Sequence, residues 1–254
     1  MFTPEMKRSY DETGFLVVER LFSEESLAEV RRRIDDLIAD PSTGADGVTV
    51  RHAGDTKPET RGTGPVRGAA FLVRFDPFFQ DLASTPRLLE VARGLLGPRV
   101  KVFRDQALFK PPRGQAKPLH QDQSYFRVQP EDDLATAWVA LDDVDEDNGC
   151  MYVIPGSHLH GAVDHSEPWM VGERRDMRIP DEVIDRDRER PITLRGGCCS
   201  FHHGLLQHRS GPNRSDRFRR GMATHYMTAS SRWTGEAAQP AYHLLHGREY
   251  EGCV

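Results

Sequence analysis

The chain has 254 residues, of which 37% are hydrophobic and 29% charged, and it carries a formal net charge of −5. This is too apolar for a disordered chain and too polar for a membrane protein, and the acidic excess argues against a general nucleic-acid binder. The length suits one large domain or two small ones and can bury a sizeable core. Four cysteines make no disulfide framework: Cys198 and Cys199 are adjacent, while Cys150 and Cys253 stand alone. The first fourteen residues hold no apolar signal core, and the longest apolar run, Leu134 to Leu141, is far short of a membrane span. The expectation is a reduced, cytoplasmic protein that engages neither nucleic acid nor membrane.

In chain order, Phe15 to Val18 reads as a short buried strand. Ser23 is an N-cap with Glu24 and Glu25 in the first turn. Leu27, Val30, Ile34, Leu37 and Ile38 then follow helical spacing until Pro41. A second helix runs from Pro86 to Leu96, stopped by Gly97 and Pro98. Beyond Gly97 the texture changes to short β-like runs between turn residues, at 100–109, 134–141, 150–154, 192–194, 198–201, 205–208 and 219–227. Helices first and strands later predict helices packed on one sheet of a sandwich or barrel. Residues 40–68 and 161–191 show no period and read as lids or solvated insertions.

Eleven histidines draw attention to His120-Gln121-Asp122. A His-x-acid triplet alone says little: about 1.7 are expected by chance, and two occur, the other at His165 and Glu167 inside the charged 161–191 segment. Context separates them. On a strand, His120 and Asp122 would share a face and offer one nitrogen and one oxygen to a single ion. One further His would complete a 2-His-1-carboxylate face, whose open positions suit Fe(II) oxygenase chemistry. The third ligand is open among the remaining histidines. His208 follows an apolar stretch and precedes a turn. His202 and His203 face opposite ways on a strand, so at most one joins the site and packing is the commoner fate of both. His158 and His160 follow Pro155-Gly156, a turn signal.

Four stretches resemble the phytanoyl-CoA dioxygenase family of Fe(II)/2-oxoglutarate oxygenases. These are PLHQDQSYF at 118–126, Trp138 eighteen residues after His120, NGCMYVIPGSH at 148–158, and FHHGLLQHRSGPNRSDRFRRG at 201–221. The opening TGFLVVERLFSEE at 13–25 has the same look, so the likeness spans nearly the whole chain in order. It implies a mainly β fold, a double-stranded β-helix of the jelly-roll, cupin-like kind, as one domain over 1–254. Supporting helices would fill about 22–97, the barrel about 98–230, and lids 40–68 and 161–191. It implies Fe(II) held by His120, Asp122 and His208, with 2-oxoglutarate and O2 as cosubstrates. Arg219 would bind the distal carboxylate of 2-oxoglutarate, with Ser210, Trp138 and Gln106 in the same pocket. Physically, a buried dicarboxylate calls for an always-charged bidentate donor, which Arg supplies better than Lys. Arg217 and Arg220 compete for this role, and Gly221 stands where the family often has Ser or Thr.

Ser124, Tyr125 and Phe126 follow Asp122 directly and are substrate-pocket candidates at the barrel mouth. Related halogenases replace the carboxylate by Gly or Ala, so the presence of Asp122 favours hydroxylation of a small molecule, with succinate and CO2 as co-products. Two other classes fit the same scaffold: a non-catalytic or zinc-bound jelly-roll binding protein, and a cupin-like metal-dependent isomerase or hydrolase that would leave Arg219 without a role. The chain gives no substrate identity and no choice between monomer and homodimer.

Overall fold

The computed structural model describes residues 1–53, 55, 61–170, 176–235, 243–248, 250 and 253. The first helix, α1 (Pro4–Thr13), was not expected from periodicity, because it buries only Tyr10. Its caps carry it instead: Thr3 accepts a hydrogen bond from the Met6 amide, Pro4 opens the first turn, and Gly14 closes it at φ 81°. β1 (Phe15–Val18) and α2 (Glu24–Ala39) follow as expected, the latter capped by Ser23 and burying Leu27, Val30, Ile34 and Leu37. Within 40–68 the chain forms β2 (Thr49–His52) and enters β3 (Val66–Ala70). Residues 54 and 56–60 of that segment lie outside the described residues, as do 171–175 of the 161–191 segment. Two short helices, α3 (Leu72–Phe75) and α4 (Pro77–Ala83), lead to α5 (Pro86–Leu96), which ends at Gly97 as its sequence indicates.

The second half is strand-rich. Its long members are β4 (Val100–Lys110), β7 (Leu134–Ala140) and β14 (Arg219–Thr228). Between β4 and β7 lie β5 (Lys117–His120), the helical turn α6 (Gln123–Phe126) and β6 (Val128–Gln129). Then come β8 (Met151–Val153), β9 (Glu167–Met170), β10 (Asp176–Arg178), β11 (Arg190–Ile192), β12 (Cys199–His203) and β13 (His208–Ser210). β15 (Arg232–Trp233) and β16 (His243–His246) follow β14. One antiparallel sheet has the order β1-β12-β7-β14-β4-β3-β2, with β16 also on β4. A smaller one runs β11-β8-β13-β5. This is the mainly β, cupin-like fold, with helices on the outer face of the larger sheet.

The two faces of the larger sheet explain its composition. Every residue of β7 is buried, because one face packs on helices and the other lines the interior. Outward, Ala135, Ala137 and Val139 join Phe201, Met222 and Tyr226 in one core with Leu27, Ile34, Leu88 and Val91 of the helices. Each fully buried large side chain there contributes about 1.5–3 kcal/mol. Inward, the register aligns His202, Thr136 and His225 in one row, and Trp138 and Ala223 beside Gln106 in the next.

Two local expectations change. Leu205 to Gln207 is not strand; β13 begins at His208. The backbone groups of that stretch go elsewhere: the Leu205 carbonyl accepts from the Gln121 side chain (2.7 Å), and the Gln207 amide donates to Ser157 Oγ (2.9 Å). Likewise β5 stops at His120, and Asp122 lies in the αR region at the head of α6. His120 and Asp122 therefore do not converge as i, i+2 neighbours on one strand. Among the described residues no helix is long and apolar enough to cross a membrane.

Gly221 does more than leave space for a ligand. A Cβ there would fall 2.1 Å from Cζ2 of Trp138, so the indole needs a bare backbone beside it. Gly221→Val is expected to destabilise the protein by about 1–3 kcal/mol through overpacking and to shift the tryptophan emission. Urea unfolding and fluorescence check this; wild-type values for both would show that Trp138 does not pack as described.

Candidate active site

His120 and His208 sit directly opposite each other on β5 and β13, which brings their ring centroids to 4.2 Å. Each ring is fixed by a local bond: His120 Nδ1–H donates to the Pro118 carbonyl and His208 Nδ1–H to the Leu206 carbonyl, both at 2.9 Å. That fixes the tautomer and leaves each Nε2 with a lone pair. Asp122 Oδ1 lies 3.9 Å from Nε2 of His120 and 3.7 Å from Nε2 of His208. Ligand atoms of the three side chains all lie within 4.8 Å of one another, and all three residues are buried. Two neutral imidazole donors and one carboxylate oxygen, aimed at one point, suit a divalent iron.

The second oxygen of Asp122 is occupied from the larger sheet. Thr136 Oγ–H donates to Oδ2 at 2.6 Å and His202 Nε2–H at 3.2 Å. Burial pushes this carboxyl up, but the imidazoles of His208, His202 and His225 bring it well below the usual carboxylate range. Burial drives the histidines the other way: His120 falls well below its ordinary value, and His208 is pushed down to about 4. At neutral pH the site thus presents a carboxylate and two neutral imidazoles.

Gln121, between the ligands, braces them. Its amide side chain donates to Gly161 O and Leu205 O and accepts from Val163 N, while its backbone N–H donates to His165 Nε2 at 2.9 Å. His165, the decoy of the sequence, is thus a prop for the ligand loop and holds none of the three ligand atoms. The Pro-Gly-Ser-His stretch also acts as architecture: Ser157 holds the Gln207 amide, and His158 Nε2–H donates to the Asp11 carbonyl at 3.1 Å.

Behind the three ligands lies a cavity of about 730 Å³ lined by, among others, Arg219, Lys110, Ser210, Trp138 and Gln106. Arg219 is buried with its guanidinium 5.3 Å from the Trp138 ring centroid, and its Nε has no hydrogen-bond partner among the described residues. Its two competitors face elsewhere. Arg220 pairs with Asp142 (2.7 Å) and Asp35, and Arg217 with Asp145 (2.6 Å). Lys110 was missed by the sequence reading. It lies opposite Arg219 in the β4–β14 register and donates to Ser210 Oγ (2.8 Å) and to the Gly211 carbonyl. Burial and the charges of Arg219 and Arg67 push it down to about 6, and burial brings Arg219 to about 10. A buried guanidinium with an orphaned donor, beside a buried amine that gains a proton when an anion arrives, fits an anionic ligand. The only cue in the sequence was a lysine closing the apolar run of β4.

His202 also came closer than expected, joining the site through Asp122, whereas His203 packs near His158 and Tyr10. Ser124, Tyr125 and Phe126 do not line the cavity. They form α6, so Ser124 Oγ–H turns back to Gln121 O (2.7 Å), Tyr125 sets its ring edge against His120 (5.7 Å), and Phe126 packs on Phe103 and His225. The wall comes instead from Arg51, His52 and Arg67 of the 40–68 segment and Trp169 of the 161–191 segment.

Known proteins resemble this chain in sequence and in fold. The family model described as phytanoyl-CoA dioxygenase (PhyH) matches residues 10–221. A peroxisomal phytanoyl-CoA dioxygenase of Bos taurus is 27% identical over 231 residues, 89% of this chain and 68% of its own. Among solved structures, the non-heme monooxygenase ThoJ in its apo form superposes with a TM-score of 0.75 at 22% identity, covering 98% of this chain and 86% of its own. EctD from S. alaskensis, solved with 2-oxoglutarate and 5-hydroxyectoine, gives 0.72 at 24% identity, with 99% and 86% covered. The two structures share the fold.

The depressed histidines predict how stability depends on acid. His208 and His203 are pushed down to about 4 and His225 to about 3, in each case first by burial. Their stabilising contribution is complete above about 6.5, the unfolded value, and is lost as pH falls towards the folded values. Asp105, raised to about 6 by burial, acts in the opposite sense, but it is one group against three. Metal-free protein in chelator is therefore expected to melt at a lower temperature at pH 5 than at pH 7.5. A flat or inverted profile by calorimetry would contradict the buried, neutral state of these rings.

Proposed function

Since the chain belongs to the phytanoyl-CoA dioxygenase family, we propose that it hydroxylates an unactivated C–H bond of a small metabolite, with iron(II) held by His120, Asp122 and His208. The chain is a 2-oxoglutarate-dependent dioxygenase, and its cofactors are iron(II), 2-oxoglutarate and O2. The observation that carries the reading is a single cavity with three convergent ligand atoms on one wall and the buried pair Lys110 and Arg219 on another. A zinc-binding or isomerase role on the same scaffold would leave that buried pair without a purpose.

Bound together, the metal, 2-oxoglutarate and O2 supply the oxidising power, with succinate and CO2 as co-products. The protein supplies position. His120 and His208 give lone pairs from fixed rings, and Asp122 gives one oxygen because its other is held by Thr136 and His202. Arg219, over the Trp138 ring, and Lys110, held by Ser210, receive the distal carboxylate of the cosubstrate. Trp138 and Ala223 close the floor against water. Segments 40–68 and 161–191 close over substrate as lids, presenting Arg51, His52 and Trp169 to it. Four free cysteines, three of them buried, accord with the reducing cytoplasm as the working compartment.

Anaerobic addition of iron(II) and 2-oxoglutarate is expected to produce a visible charge-transfer band, and admission of O2 to release succinate. His120→Ala and Asp122→Ala should abolish the band, whereas His165→Ala, which loses only a prop, should weaken it. Arg219→Met should raise the 2-oxoglutarate concentration for half-saturation by at least about 30-fold, the cost of truncating a buried charge pair. Absence of both band and succinate from the wild-type protein would sink the oxygenase reading.

A further inference from the structure

Asp122 Oδ2 is the end of a chain of hydrogen bonds that crosses the interior face of the larger sheet. Thr136 Oγ lies 2.6 Å from Asp122 Oδ2 and 2.8 Å from His225 Nδ1. His225 Nε2 lies 3.3 Å from Gln106 Nε2, and Gln106 Oε1 lies 2.7 Å from Arg51 Nη2. The register places Thr136 and His225 side by side on β7 and β14, and both are buried. Neither ring nitrogen of His225 is left without a partner.

The direction of every bond follows from its far end. A guanidinium only donates, so Gln106 must turn its oxygen towards Arg51 and its NH2 towards His225. A donor at Nε2 makes that nitrogen the acceptor, so the ring proton sits on Nδ1. Nδ1–H then donates to Thr136 Oγ, whose own single proton is left for Asp122. We infer that Arg51, Gln106, His225 and Thr136 form a one-way relay that pins the Thr136 proton on Asp122 Oδ2, keeps Asp122 a single-oxygen metal ligand, and ties the ligand to the cavity wall formed by β2. This rests on the metal reading above for its purpose, but its polarity is a property of the metal-free chain. All four line the cavity, and toward the metal they are positioning residues that act only through Asp122. The arrangement also links the ligand to β2. β2 places Arg51, and Arg51 sets whether the Thr136 proton points to Asp122 or to His225.

Two readouts test it. In metal-free protein labelled with 15N-histidine, the ring signals of His225, assigned by their loss in His225→Gln, should show the Nδ1–H tautomer. Arg51→Met, which frees Gln106 to flip, should convert this to a mixture. In a Co(II) titration followed by its visible absorption, Thr136→Val should weaken binding about 10–100-fold, the usual cost of losing a partner of a metal ligand. Thr136→Ser, which keeps the hydroxyl, should restore affinity to within a few fold, and Gln106→Leu should lose affinity in the same direction. An Nε2–H tautomer in the wild type, a tautomer unmoved by Arg51→Met, or Co(II) affinity unchanged in Thr136→Val would each overturn the relay. A wild-type protein that binds no Co(II) would sink the metal reading, and the tautomer measurement would still decide the relay's direction.

Discussion

One buried carboxylate joins the two sheets. Asp122 faces the small sheet with Oδ1, where His120 and His208 wait, and the large sheet with Oδ2, where Thr136 and His202 donate. A charged group withdrawn from water this far costs several kcal/mol unless its lone pairs are met. Two donors meet one oxygen, and a metal would meet the other. The barrel therefore closes around an electrostatic requirement as well as an apolar core. The apolar work is done mostly on the far side, where helices cover the outer face of the large sheet. That division lets the inner face carry His202, Thr136, His225, Gln106 and Arg219 without losing the core.

The cosubstrate end of the cavity follows an opposite logic. Oδ2 of Asp122 is met before any ligand arrives, whereas Lys110 and Arg219 form no ion pair among the described residues. Both are buried, both are driven towards neutrality, and Arg219 keeps an orphaned Nε. In the ligand-free protein this is a cost that folding elsewhere must offset. A dicarboxylate that enters relieves it, so part of its binding energy comes from strain the protein has already accepted. Trp138 gives the guanidinium a flat apolar seat, and Gly221 gives Trp138 its own. The interval from Arg219 to Gly221 is thus a packing unit, which accounts for a glycine where Ser or Thr is common.

What could be read from the sequence depended on whether a residue's role was local. α2 and α5 announce themselves by caps and apolar spacing, and β4, β7 and β14 by long runs, because each buries a face of its own. α1 escaped because it buries one side chain and is held by its ends. β5 escaped because a four-residue edge strand containing Pro118 carries no pattern; it exists through its pairing with β13. Lys110 lies just past the 100–109 run, and only the register that puts Arg219 beside it gives it a role. Thr136 and His225 had no signal, since a lone Thr and a lone His in apolar strands are ordinary core. Their meaning arises only when sheet register aligns them with Asp122.

His120 and Asp122 show how a sound inference can travel through a different geometry. Strand parity would have put both on one face, yet the chain leaves the strand at His120 and turns into α6. Convergence comes from that turn. It is stitched by Gln121 to residues 161–163 and 205, and by His165 to the Gln121 backbone. A helical start at 122 swings the carboxylate across the gap between sheets, where a straight strand would have kept it within the small one. Only from there can one oxygen face the histidines while the other reaches Thr136. The same turn takes Ser124, Tyr125 and Phe126 away from the cavity, because a helical turn sends successive side chains round its axis. The feature that places the ligand and the feature that removes those three from the pocket are therefore one and the same.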